Sequence, residues 1–299
     1  IRFPLLILSI YFCINDLNIN LKKIFTYWAI IISILCIDLV FQFFNHVNLI
    51  GNKAIQQGSI YRLGGFMGDE LKISNLIFNF GILTFSYLLT TNYINNNKKN
   101  LTTIIFFSLI LFSIFITGER SNFITISFFS LFLLIFLFFN NLKLFLKIFS
   151  IILILFATFS LSNSKISDRM INNLFSKQIK HLSINTDKNF LYKNSHYFAH
   201  YSVAYQIFEK NKFFGVGLKN FRNFCDNEDF NYQVHPNWQE KKCALHPHNF
   251  YFEILSETGL LGMIILGSFF IISLIRFFKS KNNTLIVSSI IVLVYFIPF

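Results

Sequence analysis

Long apolar runs that are nearly free of charge dominate this sequence. The runs at 24–44, 101–117, 122–139 and 144–162 each approach the roughly 20 apolar residues that a helix needs to cross a bilayer. Only 13% of the residues are charged, whereas a soluble domain carries about 25%. The composition therefore argues against a soluble fold and predicts an all-α, polytopic transmembrane bundle.

Apolar segments predicted to be helices occur along most of the chain, the first of them only a partial helix. They lie at 3–14, 24–44, 73–93, 101–117, 122–139, 144–162, 250–276 and 284–299. These segments divide the chain into transmembrane helices with short outer loops at 1–162, a mainly helical loop domain at 163–249, and C-terminal transmembrane helices at 250–299. Because the sequence begins without a Met and ends inside an apolar run, we expect it to be truncated at both ends.

Basic residues next to the span ends indicate the sidedness of the chain. They are Lys22 and Lys23, Lys98 and Lys99, Lys143 and Lys147, and Arg276, Lys279 and Lys281. By the positive-inside rule the connections that carry them are cytoplasmic. The loop 45–72, the tight turn 118–121 and the segment 163–249 then all face outward. Much of the +12 net charge is thus topological, and it requires no nucleic-acid partner.

Two cysteines lie in the long outward loop. If that loop is in an oxidising compartment, Cys225 and Cys243 could form a disulfide. Their spacing alone does not show that the two Cα atoms come within the roughly 4.4 to 6.8 Å that a disulfide requires. The bonded and the free state both remain open.

The long loop also contains a predicted helix followed by a glycine turn. Aromatic residues recur at spacings of three and four within 196–210, namely Phe198, Tyr201, Tyr205 and Phe208. This spacing predicts an amphipathic helix. Gly215 and Gly217, in the sequence GVGLKNF, then break the helix in a turn. Two glycines alone are weak evidence for phosphate binding, so a structural turn is the favoured interpretation.

The segment from His246 to Gly262 connects the polar loop to a membrane helix. His248 lies at the mouth of that span. If Asn249 caps the helix, the first free backbone N–H groups face the outer interface, where they favour a diphosphate. Three histidines, His235, His246 and His248, are not accompanied by a Cys or Asp cluster at zinc-like spacing. We therefore predict no metal site and no cofactor.

Two glutamates and two glycines follow on the same predicted helix. Glu253 and Glu257 are four residues apart and share one face. A carboxylate in the first turn is favoured by the helix dipole, whereas the deeper Glu257 is expected to face the bundle interior. We interpret Glu257 as structural or positioning. Gly259 and Gly262 offer small surfaces for the close approach of another helix.

A His-Asn pair followed by an apolar helix with E-x-G-x-x-G resembles the signature of the bacterial O-antigen ligase and Wzy-type O-antigen polymerase superfamily. The matching residues are His248, Asn249, Glu257, Gly259 and Gly262. The amphipathic helix and GVGLKNF also resemble that family's periplasmic pattern. Lys212 stands where a Pro is usual, and an Arg often found at the start of the helix is absent. The resemblance implies a GT-C-like helical bundle in a bacterial inner membrane, with the long loop periplasmic.

Two arginines in outward segments extend the resemblance. Arg62, in YRLGGFMGDELKISNLI, resembles the family's first outer-loop motif, and Arg120, in TGERSNF, resembles its Arg between two consecutive spans. The plain alternatives are a solvated charge for Arg62 and an interfacial anchor paired with Glu119 for Arg120.

The resemblance implies transfer of a glycan from an undecaprenyl diphosphate carrier to lipid A-core or to another glycan chain, without a metal or a nucleotide sugar. We expect direct displacement at the anomeric carbon with inversion. A neutral histidine suits the proton transfer, so His248 is the predicted general base or substrate orienter. Arginine forks suit a diphosphate, which makes Arg62 and Arg120 its predicted ligands.

Two other classes of function are compatible with parts of the sequence. A metal-dependent glycosyltransferase using a polyprenyl-phosphate sugar would need outer-loop carboxylates, and Asp69 with Glu70 is the only adjacent acidic pair in the loop 45–72. A lipid-linked glycan transporter or flippase would need ionisable groups near the membrane midplane, where Asp38 is the main candidate. Polarity is concentrated in the long outward loop, which favours chemistry at the membrane surface.

Overall fold

A computed structural model describes residues 19–57, 60–92, 97–161, 196–226 and 243–297 of the chain. The predicted helix at 3–14 and His235 lie outside these residues. The elements are α1 (Leu21–Asn45), β1 (Ile55–Gln57), β2 (Ile60–Arg62), a 3-10 turn (Gly65–Met67), α2 (Ile73–Asn92), α3 (Asn97–Ile116), α4 (Arg120–Asn140), α5 (Leu142–Leu161), α6 (His196–Lys210), α7 (Phe221–Phe224), α8 (Phe250–Lys279) and α9 (Asn283–Tyr295). They fall into two compact units, 1–170 and 171–299.

Four helices are long and apolar enough to cross a membrane. They are α1, Ile73–Thr91 within α2, α4 and α8. Most of the described residues are helical, and the one sheet among them has two strands. The prediction of an all-α, multi-pass membrane protein is therefore confirmed.

Phenylalanine rings that pack against one another lie in the core of the first unit. Phe85 of α2, Phe107 of α3 and Phe129 of α4 are all fully buried. The rings of Phe85 and Phe107 stack with their centroids 4.4 Å apart, and Phe129 lies 6.2 Å from each of them. Because lipid is as apolar as phenylalanine, this arrangement stabilises the bundle through close packing rather than through removal from water.

The loop between α1 and α2 folds back onto the end of α1. Asp38 Oδ1 accepts a hydrogen bond from the Leu49 N–H at 2.9 Å, and its Oδ2 accepts one from Asn48 Nδ2 at 3.2 Å. Gln42 Oε1 accepts from the Gly65 N–H at 2.9 Å. The loop also contains the antiparallel hairpin β1–β2, in which Ile55 pairs with Arg62. No pattern in the sequence predicted this hairpin.

A break at Gly259 divides α8 into two segments. Gly259 has φ 63° and ψ −156°, which no α-helix contains. The 30 residues of α8 would span about 45 Å as a straight helix, well beyond the roughly 30 Å of a bilayer's hydrocarbon core. The segment 260–279, at about 1.5 Å per residue, matches that core on its own. If 260–279 forms the span, the segment 250–258 extends beyond the hydrocarbon.

The helix α6 packs within the second unit through an aliphatic face. Its fully buried residues include Ala199, Val203, Ala204 and Ile207. Tyr205, one of the aromatic residues whose spacing predicted this helix, is instead 47% exposed. The helix is thus confirmed, but its buried face consists of aliphatic rather than aromatic side chains. Small aliphatic side chains let α6 approach the neighbouring elements closely, whereas bulkier aromatic side chains would hold it further away.

Candidate active site

Asn249 caps the first turn of α8 and holds His248 just outside it. The Asn249 side-chain oxygen accepts from the N–H groups of Tyr251 at 3.0 Å and Phe252 at 3.3 Å. This is the N-cap arrangement that stabilises a helix by about 1 kcal/mol. His248 precedes the cap with φ 56°, a left-handed conformation, and its side chain is exposed. The cap and this turn together present an imidazole at the end of the helix.

Three histidines gather at this point, and one of them comes from α6. The ring centroid of His248 lies 4.4 Å from that of His246 and 5.3 Å from that of His200. The His248 N–H donates to His246 Nδ1 at 3.1 Å, so a neutral His246 carries its proton on Nε2. His200 is only 5% exposed. His200 was not among the residues predicted to form the site, although its position four residues before the buried Ala204 places both on one helix face.

The glycine turn fills the break in α8 with backbone hydrogen bonds. The N–H groups of Val216 and Gly217 donate to the carbonyls of Ser256 at 3.0 Å and Glu257 at 2.8 Å. In return, the Leu260 N–H donates to the Lys212 carbonyl at 2.8 Å, and the Leu261 N–H donates to the Phe213 carbonyl at 3.2 Å. The groups that the break would leave unpaired are therefore satisfied by the turn.

The close approach of the glycine turn to the backbone of α8 explains why positions 215 and 259 are both glycine. A Cβ at Gly215 would lie 2.5 Å from both the Glu257 carbonyl oxygen and the Thr258 nitrogen. A Cβ at Gly259 would lie 2.6 Å from the Lys212 carbonyl oxygen. Both residues also have positive φ, as does Gly217 at 97°. Glycine at these positions therefore allows the turn to lie directly against the backbone of α8.

Gly262 differs from the expectation of a surface for helix packing. A Cβ there would collide with the Thr258 side chain of the same helix. Thr258 Oγ1 donates to the Ile254 carbonyl at 2.7 Å, which holds that side chain over Gly262. Gly262, which follows the break at Gly259, therefore leaves space for the Thr258 side chain of the preceding turn.

Glu257 is buried and bound by the backbone of the segment that follows the glycine turn. It is 3% exposed. Its Oε2 accepts from the Lys219 N–H at 2.6 Å, and its Oε1 accepts from the Phe221 N–H at 3.3 Å. The carboxylate therefore joins α8 to the start of α7. Glu253, one turn earlier, is partly exposed and interacts electrostatically with His246 and Lys219.

Cys225 and Cys243 are joined in a disulfide, with their Cα atoms 5.2 Å apart. Cys225 belongs to the buried cluster that includes Val203, Ile207 and Phe221, and Cys243 packs against that cluster. The bond thus attaches the end of α7 to the chain that leads into His246 and His248.

The first unit contains a separate polar cluster around Glu119. The Asn122 side-chain amide donates to Ser74 Oγ at 3.1 Å, which joins the start of α4 to the start of α2. Burial raises the pKa of the Glu119 carboxyl above its usual range, while the charge of Arg62 and hydrogen bonds from Asn122 and Ser74 oppose the rise. The loop 45–72 and the turn 118–121 are therefore brought together.

The two predicted diphosphate ligands have different surroundings in this unit. Arg62, partly buried, lies within the electrostatic influence of Glu119. Arg120 is exposed at the first residue of α4, and within the described residues no ion pair involves it. The arginine that acts on Glu119 is thus Arg62, not the neighbouring Arg120. From the sequence, Glu119 was expected only as a partner of Arg120.

The sequence profile of the Wzy_C family, O-antigen ligase, matches residues 105–267. The chain belongs to the O-antigen ligase family. The matched residues make up more than half of the chain and include Arg120, the glycine turn and the His248 segment, whereas Arg62 precedes them. No protein of curated function matches the chain. Family membership makes it a glycosyltransferase-type membrane enzyme of O-antigen and lipopolysaccharide biosynthesis, with a lipid-linked glycan donor and a glycan acceptor.

The two competing functions would depend on three carboxylates, Asp69 and Glu70 for a metal-dependent transferase and Asp38 for a transporter. Asp69 and Glu70 are exposed, and Glu70 forms an ion pair with Lys72 at 3.7 Å. Across the described part of the chain, no three His, Cys, Asp or Glu side chains are grouped so that they could hold a metal ion. Asp38 organises the loop after α1 through Asn48 and Leu49. These contacts give the three carboxylates structural or surface roles.

Proposed function

We propose that this enzyme transfers a glycan from undecaprenyl diphosphate to lipid A-core or to another glycan chain, at the periplasmic face of the bacterial inner membrane. The observation that carries the proposal is the exposed His248 imidazole, fixed at the capped end of α8 and flanked by His200 and His246. The capped helix end contributes a positive dipole where a diphosphate would approach. The inference needs no metal and no further cofactor.

In the proposed reaction, the acceptor hydroxyl attacks the anomeric carbon of the donor sugar and inverts it. The bond between that carbon and the diphosphate oxygen breaks, and undecaprenyl diphosphate leaves. His248 accepts the hydroxyl proton as the new glycosidic bond forms. His200 and His246 position its ring. A histidine is suited to this step because its ordinary pKa lies close to neutral pH.

The departing diphosphate gains negative charge, which cations or oriented dipoles must stabilise. We assign this role to Arg62 and Arg120. The exposed Arg120 side chain offers its planar fork to phosphate oxygens. The field of Glu119 holds Arg62 in place until the donor binds. Asn249, Glu257, Gly215, Gly217, Gly259 and Gly262 are positioning residues, since they build the segment that presents His248.

The proposed sidedness rests on charge and on redox chemistry. Arg276 and Lys279 occupy the last turn of α8, which favours a cytoplasmic location for that end. The Cys225–Cys243 disulfide at the other end suits an oxidising compartment such as the periplasm. We therefore propose that 163–249 is a periplasmic loop domain, which lies in the chain between transmembrane helices at 1–162 and 250–299.

The test is transfer by the purified full chain from an undecaprenyl diphosphate-linked glycan, with lipid A-core and a second donor molecule as rival acceptors. We expect His248→Ala and His248→Asn each to lower the rate about 100-fold or more. The Asn variant controls for the backbone, because Asn tolerates the positive φ of this position. Leu245→Ala, at an exposed site beside it, should leave transfer unchanged.

Two outcomes would overturn parts of the proposal. Full transfer by His248→Asn would remove His248 from the chemistry. Loss of transfer in EDTA, with recovery on adding a divalent cation, would favour the metal-dependent alternative at Asp69 and Glu70. The acceptor consumed by the wild-type enzyme decides between joining a glycan to lipid A-core and lengthening a glycan chain.

A further inference from the structure

The glycine turn presents three large apolar side chains that nothing in the described part of the chain covers. Phe213 is 71% exposed, Phe214 is 76% exposed and Leu218 is 79% exposed. They lie within a loop rather than on a membrane-spanning helix. Exposed apolar groups gathered in this way mark a site of contact with a partner or a membrane.

The backbone hydrogen bonds of the turn fix its height relative to the membrane. The carbonyls of Lys212 and Phe213 bind the N–H groups of Leu260 and Leu261, the first two residues of the α8 segment that matches the hydrocarbon thickness. Leu260 is 41% exposed and Leu261 is 50% exposed, so both offer apolar surface there. The exposed phenylalanines therefore lie at the level where α8 enters the lipid.

The charges around the turn fit the head groups of a bilayer. The segment 211–225 contains Lys212, Lys219 and Arg222 and no acidic residue, and all three basic residues are exposed. Basic side chains attract anionic lipid phosphates. Aromatic rings are enriched at the boundary between head groups and acyl chains. An apolar tip surrounded by basic side chains therefore matches that boundary in both polarity and charge.

We propose that the segment 212–219 is a membrane anchor whose Phe213, Phe214 and Leu218 side chains enter the lipid interface, while Lys212 and Lys219 contact lipid phosphates. The anchor ties the glycine turn and α6 to the bilayer surface. It thereby sets the height of the α8 segment 250–258, at whose far end His248 lies. This inference rests on the membrane span of α8 and does not depend on the catalytic roles proposed above.

The test measures the depth of tryptophans introduced into the full-length protein in phospholipid vesicles. The two native tryptophans are first replaced by Trp28→Phe and Trp238→Phe. Phe214→Trp then reports on the anchor. Phe250→Trp is the matched control, because Phe250 is also an exposed aromatic residue but lies about 14 Å from Gly259 along the helix. Lipids brominated near the head groups serve as the quencher.

We expect these lipids to quench the Phe214→Trp variant several-fold more strongly than the Phe250→Trp variant. Phe213→Trp provides a second reporter, since the substitution keeps the carbonyl that binds Leu261. Equal quenching at positions 214 and 250, or none at 213 and 214, would overturn the anchor. Loss of quenching when an undecaprenyl diphosphate-linked glycan is added would also overturn it, since the surface would then hold the donor's polyprenyl chain.

Discussion

Two glutamates, the buried Glu257 in the second unit and the partly buried Glu119 in the first, are held by different kinds of partner. Glu257 accepts hydrogen bonds from the backbone N–H groups of Lys219 and Phe221. Glu119 instead interacts with the side chains of Arg62, Asn122 and Ser74. Backbone donors stay in place whatever the side chains are, whereas side-chain donors can rotate towards a ligand. The surroundings of Glu257 are therefore suited to rigidity, and those of Glu119 to exchanging one partner for another.

The same contrast extends to the segments around the two glutamates. The break in α8 is closed by four backbone hydrogen bonds with the glycine turn and the two residues Lys212 and Phe213, two donated in each direction, and it needs glycine at two points of contact. The Glu119 cluster is built from polar side chains at the ends of helices, and Asn122 with Ser74 supplies its side-chain hydrogen bond between helices. Substitutions around Glu257 and the break in α8 should therefore act on stability, and substitutions around Glu119 should act on electrostatics.

The largest expected effect is that of Gly259→Ala. A Cβ would meet the Lys212 carbonyl at a positive φ that costs about 1 to 3 kcal/mol for other residues. Losing the hydrogen bonds of the turn adds about 0.5 to 1.5 kcal/mol each, so we expect the unfolding free energy to fall by about 3 kcal/mol or more. Gly215→Ala should behave alike. Thermal unfolding of the purified protein in detergent measures the loss.

Gly267→Ala is the matched control, because the same helix offers an added methyl open space at that position. We expect no loss of stability from it. If Gly259→Ala and Gly267→Ala unfold at the same temperature, the break at Gly259 is not maintained by the glycine turn, and the contrast between the two regions fails.

These glycines also show how much of the molecule the sequence could predict. Apolar run length predicted the membrane helices, because a bilayer imposes length and polarity on every span. The two glycines of GVGLKNF predicted a turn, whereas the glycines of the E-x-G-x-x-G motif were interpreted as packing surfaces and did not predict the break at Gly259. Neither pattern predicted that the turn would fill a break in α8, since that contact joins segments about forty residues apart, from Val216 to Ser256.

Side chains that converge from distant segments could not be predicted at all. His200 lies near His248 because α6 packs against α8, and nothing in the local sequence of α6 distinguishes it from an ordinary buried histidine. Arg62 and Glu119 meet through the packing of a loop against a helix end. The sequence gives each residue's chemistry, but tertiary packing alone decides which of them become neighbours.

A smaller effect is expected at Glu257. Glu257→Ala removes the acceptor of the Phe221 N–H, which is buried and costs about 1 to 3 kcal/mol to leave unpaired. The Lys219 N–H also loses its acceptor, but it is only partly buried and costs less. Glu257→Gln keeps one side-chain oxygen as acceptor and should recover part of that loss. Glu253→Ala, at a partly exposed carboxylate on the same helix, is the control and should change unfolding little. Thermal unfolding and transfer rate are measured on the same samples.

The comparison of those two readouts decides the role of Glu257. A structural role predicts that stability and transfer fall together in Glu257→Ala and recover together in Glu257→Gln. If Glu257→Gln has wild-type stability but no transfer, the carboxylate has a chemical role, and the rigid region would then contain a second reacting group.

The smallest expected effect is the pH dependence contributed by Glu119. Because burial raises the pKa of this carboxyl, the folded protein holds its proton more tightly than the unfolded chain does. Below the ordinary carboxyl pKa of about 4.3 this contribution to stability is fully present. It is lost as the pH rises through the raised pKa, because the folded protein must then ionise a partly buried carboxyl.

Glu119→Gln cannot ionise, so we expect the melting temperature of this variant to fall less than that of the wild type as the pH rises over that interval. Glu70→Gln is the control, since Glu70 is an exposed glutamate of the same unit and should leave the wild-type profile unchanged. The Arg62 charge and solvent screening keep the difference small. Identical pH profiles for Glu119→Gln and the wild type would mean that Glu119 is as well solvated as Glu70.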